Sequence, residues 1–552
     1  MRIRTLFMSM VAGLAFVGCS NEEDMTSGNN GEPQYLTVSV NATSTLTRAN
    51  SLQGEYEEGV GNENEVTNVR FYFFDADGNA AQVKGENGGT YYDVAMSGTD
   101  KDMDNVEKIL TATLVIQTPD PNKDKVPASI VAVVNPKSEL GEVESIAKLN
   151  EVIADHSSTT SFIMSSSVYA NGTTKMEAVN VAGHLYPTAD AAKADPVIIH
   201  VERVLAKARL TVGLTANANG VYKTSADGSQ KFGDEEIYVK FLGWNVTATA
   251  KTSRLMKEIN PSWPSDLFGS TLWNTADYYR SFWAVNPKTM EYNYGAFSTG
   301  DNAANAIPAF DAGTTETPKT NYTYLQENAS DDKTKGTDPE KPSQVIIAAQ
   351  LVKEDGSTAI EFAEYAGERT TINGLIVKYA AASELWKDNE EGTGRVKIGV
   401  GDIELKTATE INVANQETPG RYKVYAQLTA DAAKKTWYTS KEADASPVDN
   451  ANDILKALGG AKVWNDGYTY YYFDIQHLNG GASAENVKGK IGVVRNHIYA
   501  ANINSLAGLG TPVYDPEEII YPEHPEEDET FIAAQIRILS WRLVKKNIDL
   551  EW

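Results

Sequence analysis

The chain has 552 residues, of which 41% are hydrophobic, and a formal net charge of −26. This length and apolar content predict a folded protein of about two to four domains. The negative net charge argues against nucleic acid as a partner, because phosphates bind basic surfaces. Cys19 is the single cysteine, which excludes internal disulfides and cysteine-based zinc sites.

Residues 1–18 have the parts of an export signal. Arg2 and Arg4 precede an apolar core that is too short to span a bilayer. The core ends in Phe-Val-Gly directly before Cys19, which resembles the lipobox of bacterial lipoproteins. The resemblance implies cleavage before Cys19 and acylation of this residue; the alternative is an ordinary signal peptide with an incidental cysteine. The acidic, polar stretch that follows is typical of a flexible tether.

A strand is predicted at 36–43, where apolar and polar residues alternate. Its apolar face consists of Leu36, Val38, Val40 and Ala42. Arg48 follows and is the sole Lys or Arg between Cys19 and Val69. The residues around Arg48 are small and mostly polar, which is typical of an exposed, cleavable loop. Arg48 is therefore interpreted as a protease site, with a solvated surface arginine as the alternative.

The C-terminal segment, residues 531–552, contains two apolar sets. The first alternates along a predicted strand and comprises Ile532, Ala534, Ile536 and Ile538, and the second comprises Trp541, Leu543, Ile548 and Leu550. A removable first strand and a free last strand suggest that one molecule's last strand replaces another molecule's first strand. The sequence leaves open which of the two sets would do so.

Short β-prone runs separated by Gly, Asn, Asp and Pro predict a mostly β protein of sandwich modules with few short helices. Strands are predicted at 69–74, 110–116, 130–134, 197–214, 237–247, 345–352, 374–379, 421–428, 468–475 and 497–503, and helices at 145–154 and 451–458. The apolar runs at 110–116 and 130–134 favour strands buried on both faces. A polar break at 186–196 predicts the boundary between a smaller N-terminal and a larger C-terminal part.

The sequence offers little chemistry, and no catalytic residue, cofactor site or metal site is predicted. The histidines lack metal-ligand spacing and are assigned structural or surface roles; they are His156, His184, His200, His477, His497 and His524. Residues 75–86 match part of a calcium loop, but Ala80 stands where that loop needs glycine, so a β-turn is predicted. The aromatic run 468–473 suggests either a glycan-stacking surface or, as we favour, a buried strand.

Several segments together resemble the Bacteroidales fimbrillins, most closely shaft subunits of the minor fimbrium (type V pili). They extend from the N-terminal signal to the last strand. The segments are the lipobox at Cys19, Arg48-Ala49, 131–136, 201–207, 279–284, 324–328, 492–499, 508–513 and 541–550. The resemblance implies two transthyretin-like β-sandwich domains that are completed by donor-strand exchange.

The resemblance also implies how the protein is exported, processed and assembled. A lipoprotein precursor would reach the outer membrane, where an Arg-specific surface protease would cut between Arg48 and Ala49. The divisions are then a signal peptide at 1–18, a propeptide at 19–48, an N-terminal domain at 49–196 and a C-terminal domain at 197–552, ending in the donor strand at 531–552. The product would be a cell-surface fimbrium.

The family further implies particular partners: identical subunits in a head-to-tail filament, anchor and tip subunits, and host-cell or bacterial receptors. Adhesion and biofilm formation would follow. Two other classes of function stay open, namely a monomeric surface lipoprotein that binds glycan or protein, and a pilus anchor or tip subunit. An enzyme is the least favoured reading.

Overall fold

A computed structural model describes most of the chain. The described residues are 34–43, 55–56, 59–81, 83, 89–95, 99–103, 106–116, 126–171, 174–225, 228–261, 279–280, 284–297, 322–333, 338–415, 418, 420–477, 491–521, 532–540 and 542–543. Strand is their main regular structure, at 42%, and they include four short α-helices, which confirms the predicted mostly β fold. The helices are α1 (Ile146–Asn150), α2 (Ala189–Ala194), α3 (Ile372–Ala382) and α4 (Ala451–Lys456).

The N-terminal part is built on one large sheet. The strands of this part of the chain, in order, are β1 (Gln34–Thr43), β2 (Glu55–Tyr56), β3 (Val69–Phe74), β4 (Tyr91–Val94), β5 (Thr99–Met103), β6 (Val106–Ile116), β7 (Ser129–Val134), β8 (Ile153–Ala154), β9 (Met164–Ser166), β10 (Tyr169–Asn171), β11 (Thr174–Met176), β12 (Val179–Asn180) and β13 (Val197–Arg203). The sheet order is β4-β3-β7-β9-β13-β1-β6-β5, with β12 beside β7. The first strand of the chain therefore lies inside the sheet.

This sheet curls over its own apolar core. Phe71 and Phe73 of β3 share that core with Leu36 and Val38 of β1, although β1 lies far along the sheet. The alternate residues of β3 and β7 face the other side and enter a second core with Leu255 and Met256. Since both faces of β3 and β7 are covered, residues 130–134 are buried throughout, as predicted.

The chain passes from the first sheet into the C-terminal part at Val204. The next strands are β14 (Leu205–Val212), β15 (Tyr222–Lys223), β16 (Lys231–Phe232), β17 (Glu235–Glu236), β18 (Tyr238–Thr247), β19 (Thr249–Ala250), β20 (Ser253–Arg254), β21 (Tyr279–Arg280), β22 (Tyr292–Asn293), β23 (Tyr322–Gln326) and β24 (Gln344–Val352). The predicted single run 197–214 is thus two strands, β13 and β14, in two different sheets.

A separate module is inserted after β24. It contains β25 (Phe362–Tyr365), β26 (Glu368–Thr370), β27 (Trp386–Asp388), β28 (Arg395–Lys397), β29 (Ile403–Thr407), β30 (Val424–Leu428), β31 (Trp437–Tyr438) and β32 (Lys462–Trp464). It has its own apolar core, to which α3 and α4 contribute Leu375, Tyr379 and Leu455. The chain then resumes the sheet that β24 left, because β24 and the strand at 468–474 are antiparallel neighbours.

The strand predicted at 374–379 is wrong, because these residues lie in α3. The Thr371 side chain caps the helix by accepting a hydrogen bond from the main-chain nitrogen of Gly374, 3.0 Å away. Leu375 and Tyr379, four residues apart, both enter the module core, so the apolar spacing is helical rather than alternating.

The last strands complete a two-sheet sandwich. They are β33 (Tyr468–Asp474), β34 (His497–Leu506), β35 (Thr511–Pro512), β36 (Ile532–Ser540) and β37 (Arg542–Leu543). One sheet has the order β23-β14-β34-β36 and the other β15-β18-β24-β33-β35. They enclose a common core that includes Ala208, Ile503, Trp244 and Ile347. The aromatic run 468–473 is an inner strand, as we favoured.

Candidate functional site

The first strand is paired along both of its edges. β1 runs antiparallel to β6, from Gln34 opposite Ile116 to Thr43 opposite Val106. On its other edge it runs parallel to β13, from Val38 opposite Val197 to Ala42 opposite Val201. The side-chain hydroxyls of Thr37 and Thr113 add a cross-strand hydrogen bond of 3.0 Å. Removing β1 would therefore break the sheet in its interior.

Leu36 and Val38 fill the space beneath this strand. Both are fully buried. They lie against apolar side chains that belong to the neighbouring strands, namely Leu110, Leu114, Ile116, Val197, Ile199 and Val201. Full burial of one such side chain contributes about 1.5–3 kcal/mol. Loss of β1 would leave an apolar slot lined on both sides by unpaired backbone groups.

The C-terminal strand lies at the edge of a sheet. β36 pairs antiparallel with β34, from Leu506 opposite Ile532 to His497 opposite Ser540, with an irregularity between Ile503 and Ser505. It is the end member of its sheet, so within the described residues its ladder runs along one edge alone. Detaching β36 breaks one row of backbone hydrogen bonds, whereas detaching β1 breaks two.

The two chain ends also meet directly. The short strand β2 pairs with β37, with Glu55 opposite Leu543 and Tyr56 opposite Arg542. In the sequence, Arg48 lies between β1 and β2. The chain that follows Arg48 thus pairs with the C-terminal segment, whereas the chain that precedes it fills the N-terminal sheet.

Glu63 fixes the chain that follows β2. It is fully buried in the 3₁₀ helix Gly61–Asn64, and its carboxylate accepts from the Lys207 ammonium at 2.6 Å. The Tyr324 hydroxyl donates to the same carboxylate oxygen. Burial, reinforced by the Glu63 charge, raises the pKa of Tyr324 well above its usual range. Since Lys207 and Tyr324 belong to β14 and β23, this contact holds the chain between β2 and β3 on the C-terminal sandwich independently of β1.

A second buried ion pair joins the β-strands of the C-terminal part. The Arg495 guanidinium is fully buried and binds the Glu327 carboxylate at 2.7 Å. Its other N–H groups donate to two carbonyl oxygens at the end of β20. They are those of Arg254 (2.6 Å), the last residue of the strand, and Leu255 (2.7 Å), the residue after it. Glu327 and Arg495 lie in the segments 324–328 and 492–499 that carry the family resemblance, but the sequence does not predict that they pair, because they are far apart in the chain.

His156 is a buried histidine beside this region. It is 3% exposed, and its main-chain nitrogen donates to the Gln326 side chain at 2.9 Å. Burial, followed by the positive charges of Arg495 and Lys137, lowers the pKa of His156 to about 4. The imidazole is therefore neutral at physiological pH, which agrees with the predicted structural role.

His156 is expected to make the protein sensitive to mild acid. Between about pH 6.5 and pH 4 the unfolded chain binds a proton at this position and the folded chain does not, so stability falls as the pH falls. The whole interval corresponds to about 3 kcal/mol. Urea unfolding of the wild type and of His156→Met at pH 7, 5.5 and 4.5 checks this, and an equal decline in both proteins would contradict it.

Several predicted site residues lie outside the described residues. These are Cys19, Arg48, Ala49, Trp541, Ile548 and Leu550. Leu36 and Val38 lie together in the N-terminal core, and the predicted donor residues Ile532, Ile536 and Ile538 lie in β36, on another sheet. Before any processing, the two ends therefore occupy separate sheets.

Residues 75–79 begin the segment that partly matches a calcium loop, and they form a turn. The Asp75 side chain accepts hydrogen bonds from the main-chain nitrogens of Asp77 (3.0 Å) and Asn79 (2.8 Å). Across the part of the chain that the structure describes, His, Cys, Asp and Glu side chains form no cluster suited to a metal ion. Nor does any helix in these ranges have the length and apolar character needed to cross a bilayer.

These features define a β-sandwich protein whose two terminal strands each complete a sheet. Residues 462–547 match the family model described as major fimbrial subunit protein type IV, fimbrillin, C-terminal. The match includes β36 and β37 and confirms the resemblance to the fimbrillins found in the sequence. The match supports a fimbrial subunit of the cell surface.

Solved structures give a distant likeness to this chain. A Parabacteroides distasonis protein provisionally assigned to cell adhesion is 13% identical, over 95% of this chain and 100% of its own, with a TM-score of 0.38. A fimbrilin of Porphyromonas gingivalis is also 13% identical, over 94% and 98%, with a TM-score of 0.33. The tip fimbrial protein Mfa3 of the same organism is 10% identical, over 91% and 99%, with a TM-score of 0.29. No curated protein matches the chain in sequence.

Proposed function

We propose that this chain is the polymerising subunit of a fimbrial shaft. It is exported as a lipoprotein that is acylated at Cys19, and an Arg-specific surface protease cuts it after Arg48. Cleavage releases residues 19–48, including β1, and the C-terminal strand of a neighbouring subunit takes the place of β1. The filament then serves adhesion and biofilm formation, with anchor and tip subunits at its ends.

The enclosed position of β1 carries this proposal. Loss of β1 leaves unpaired N–H and C=O groups on β6 and β13 above an apolar slot, which is unfavourable in water. An incoming strand supplies both the backbone hydrogen bonds and the apolar side chains, as in donor-strand complementation of pilins. A donor at one end and a slot elsewhere give a head-to-tail contact, which builds an open filament unless it closes into a ring.

Two further contacts support the proposal. Glu63 fixes the processed chain on the C-terminal sandwich, so loss of β1 leaves β3 attached to the rest of the molecule. The next arginine after Arg48, Arg70, is almost fully buried and is paired with Asp93 at 2.6 Å, which protects it from the same protease. Cleavage is thereby directed to the segment between β1 and β2.

Polymerisation is tested by treating the purified precursor with an Arg-specific protease. We expect wild-type protein to form SDS-resistant ladders and Arg48→Ala to form none. Arg48→Lys is the matched control, because it keeps the charge but resists an Arg-specific enzyme. A Lys-specific protease should restore its ladders.

Deletion of residues 532–552 tests the donor. We expect this truncated chain to be cut normally and to remain monomeric. Ladders that survive the deletion would refute the donor role, and cleavage of the wild type without any ladder would refute polymerisation itself.

A further inference from the structure

The arginines that follow Arg48 are confined to strands and to buried turns. Nine of them lie in strands, namely Arg70, Arg203, Arg209, Arg254, Arg280, Arg369, Arg395, Arg537 and Arg542. The other two, Arg421 and Arg495, lie in turns and are 7% and 0% exposed. Arg48 is thus the single arginine of residues 19–552 that lies outside the described strands and turns.

The less buried of these arginines have their guanidinium groups bound within the chain. That of Arg254 donates to three main-chain carbonyl oxygens at 3.2–3.4 Å. That of Arg395 lies over the Tyr438 ring, 3.3 Å from its centre, and that of Arg369 pairs with the Glu364 carboxylate at 3.4 Å. An enzyme specific for arginine must bind this same planar group. In the folded subunit these groups are therefore already engaged.

Lysine is placed differently from arginine. Lys288, in a bend before β22, and Lys441, in a bend between β31 and α4, are both exposed. The ranges of the chain between and beyond the described residues contain nine lysines after the signal, but no arginine other than Arg48. Within the described turns and bends, the exposed positive charge is therefore carried by lysine, which an Arg-specific protease does not accept.

This placement bears on proteolysis, which concentrates at exposed loops. A residue in a β-ladder has its backbone groups committed to neighbouring strands, and a buried residue is reached only after local unfolding. We propose that the folded subunit is resistant to the Arg-specific protease that processes it, because it presents no other arginine in an exposed turn. One enzyme can then cut at Arg48 and leave the product intact. The inference rests on the proposed function for this enzyme, but not on strand exchange.

Resistance is tested by incubating the unprocessed chain, residues 19–552, with an Arg-specific protease and, separately, with a Lys-specific protease of equal activity. Mass spectrometry identifies the products. We expect the Arg-specific enzyme to stop at the product 49–552 and the Lys-specific enzyme to degrade that product further. The Arg48→Lys chain should survive the Arg-specific enzyme uncut.

Two substitutions that keep the charge test whether arginine placement is the cause. Lys288→Arg and Lys441→Arg each put arginine in an exposed bend, so each should cause loss of the product 49–552 and the appearance of two fragments. Lys240→Arg is the matched control, because Lys240 is exposed but lies in the β18 ladder opposite Gln350 of β24. This variant should give no new cut.

The proposal is overturned if the Arg-specific enzyme cuts the wild type within residues 49–552, or if both bend variants resist it as well as the wild type does. These outcomes are distinct from a failure of the proposed function. A wild-type chain that is cut once, after Arg48, and then forms no ladder refutes polymerisation but supports the resistance proposed here.

Discussion

Replacing Leu36 and Val38 together by alanine is expected to lower the free energy of unfolding of the unprocessed N-terminal domain by about 4–6 kcal/mol. Both side chains are fully buried, and truncation removes apolar contacts and leaves cavities in the core beneath β1. After cleavage at Arg48 the same substitutions should have no effect on the processed subunit, because both positions have been removed. Faster release of the cut strand should also accelerate ladder formation.

The measurement must report on the N-terminal domain. All nine tryptophans lie at or after position 244, so hydrogen exchange of β3, β6 and β7 is the suitable probe rather than tryptophan fluorescence. Ile198→Ala is the control, since Ile198 lies on the neighbouring strand β13 and is 52% exposed. It should change stability by no more than about 0.5 kcal/mol. Equal losses in the double variant and the control would contradict the enclosed position of β1.

Arg495→Met is expected to destabilise the C-terminal sandwich by about 3–5 kcal/mol. The substitution leaves the Glu327 carboxylate buried without its cation and the carbonyl oxygens of Arg254 and Leu255 without a donor. Tryptophan fluorescence follows this unfolding, because Trp244 lies in the same core. The matched control is Lys148→Met, which breaks an exposed pair with Glu151 and should leave unfolding unchanged.

A double variant tests whether the stability loss comes from leaving one buried charge without its partner. Glu327→Leu combined with Arg495→Met removes both charges, so the double variant should recover part of the stability that either single variant loses. Stability of the double variant equal to the sum of both losses would show that the two charges do not depend on each other.

The sequence predicts much of this fold because its strands carry local signals. Residues 69–74 and 130–134 are β-rich and bounded by turn formers, and both form strands at those positions. At 110–116 the strand is right but its burial is wrong. Leu110, Leu114 and Ile116 are buried and Thr111 is exposed, because β6 has the apolar core on one face alone.

Other features depend on contacts that a local pattern does not reveal. The apolar residues at 374–379 are consecutive and predict a strand, but the cap at Thr371 and the module core make this segment the helix α3. The inserted module was also missed, since it is defined by the pairing of β24 with β33 across more than a hundred residues. The same reason hides the pairs of Glu63 with Lys207 and of Glu327 with Arg495.

The candidate site also has features that a local pattern predicts and features that depend on distant pairing. Alternation identified Leu36 and Val38 as one buried face, because that face repeats every second residue. The strand neighbours of β1 did not follow from the sequence, since parallel pairing with β13 joins residues that are far apart in the chain. The sequence leaves open which of the two apolar sets of the C-terminal segment would replace β1.

Strand exchange is tested most directly by intermolecular disulfides. The processed subunit contains no cysteine once Cys19 is released, so engineered pairs are unambiguous. One chain carries Ala112→Cys, opposite Val38 in the β1–β6 ladder. The other carries a single cysteine placed in turn at Ile532, Ala534, Ile536, Ile538, Trp541, Leu543, Ile548 or Leu550. After cleavage at Arg48, we expect a disulfide-linked dimer from one of the two apolar sets and none from the unprocessed chains. Ladders that form without a cross-link at any of these positions would contradict replacement of β1 by the C-terminal strand.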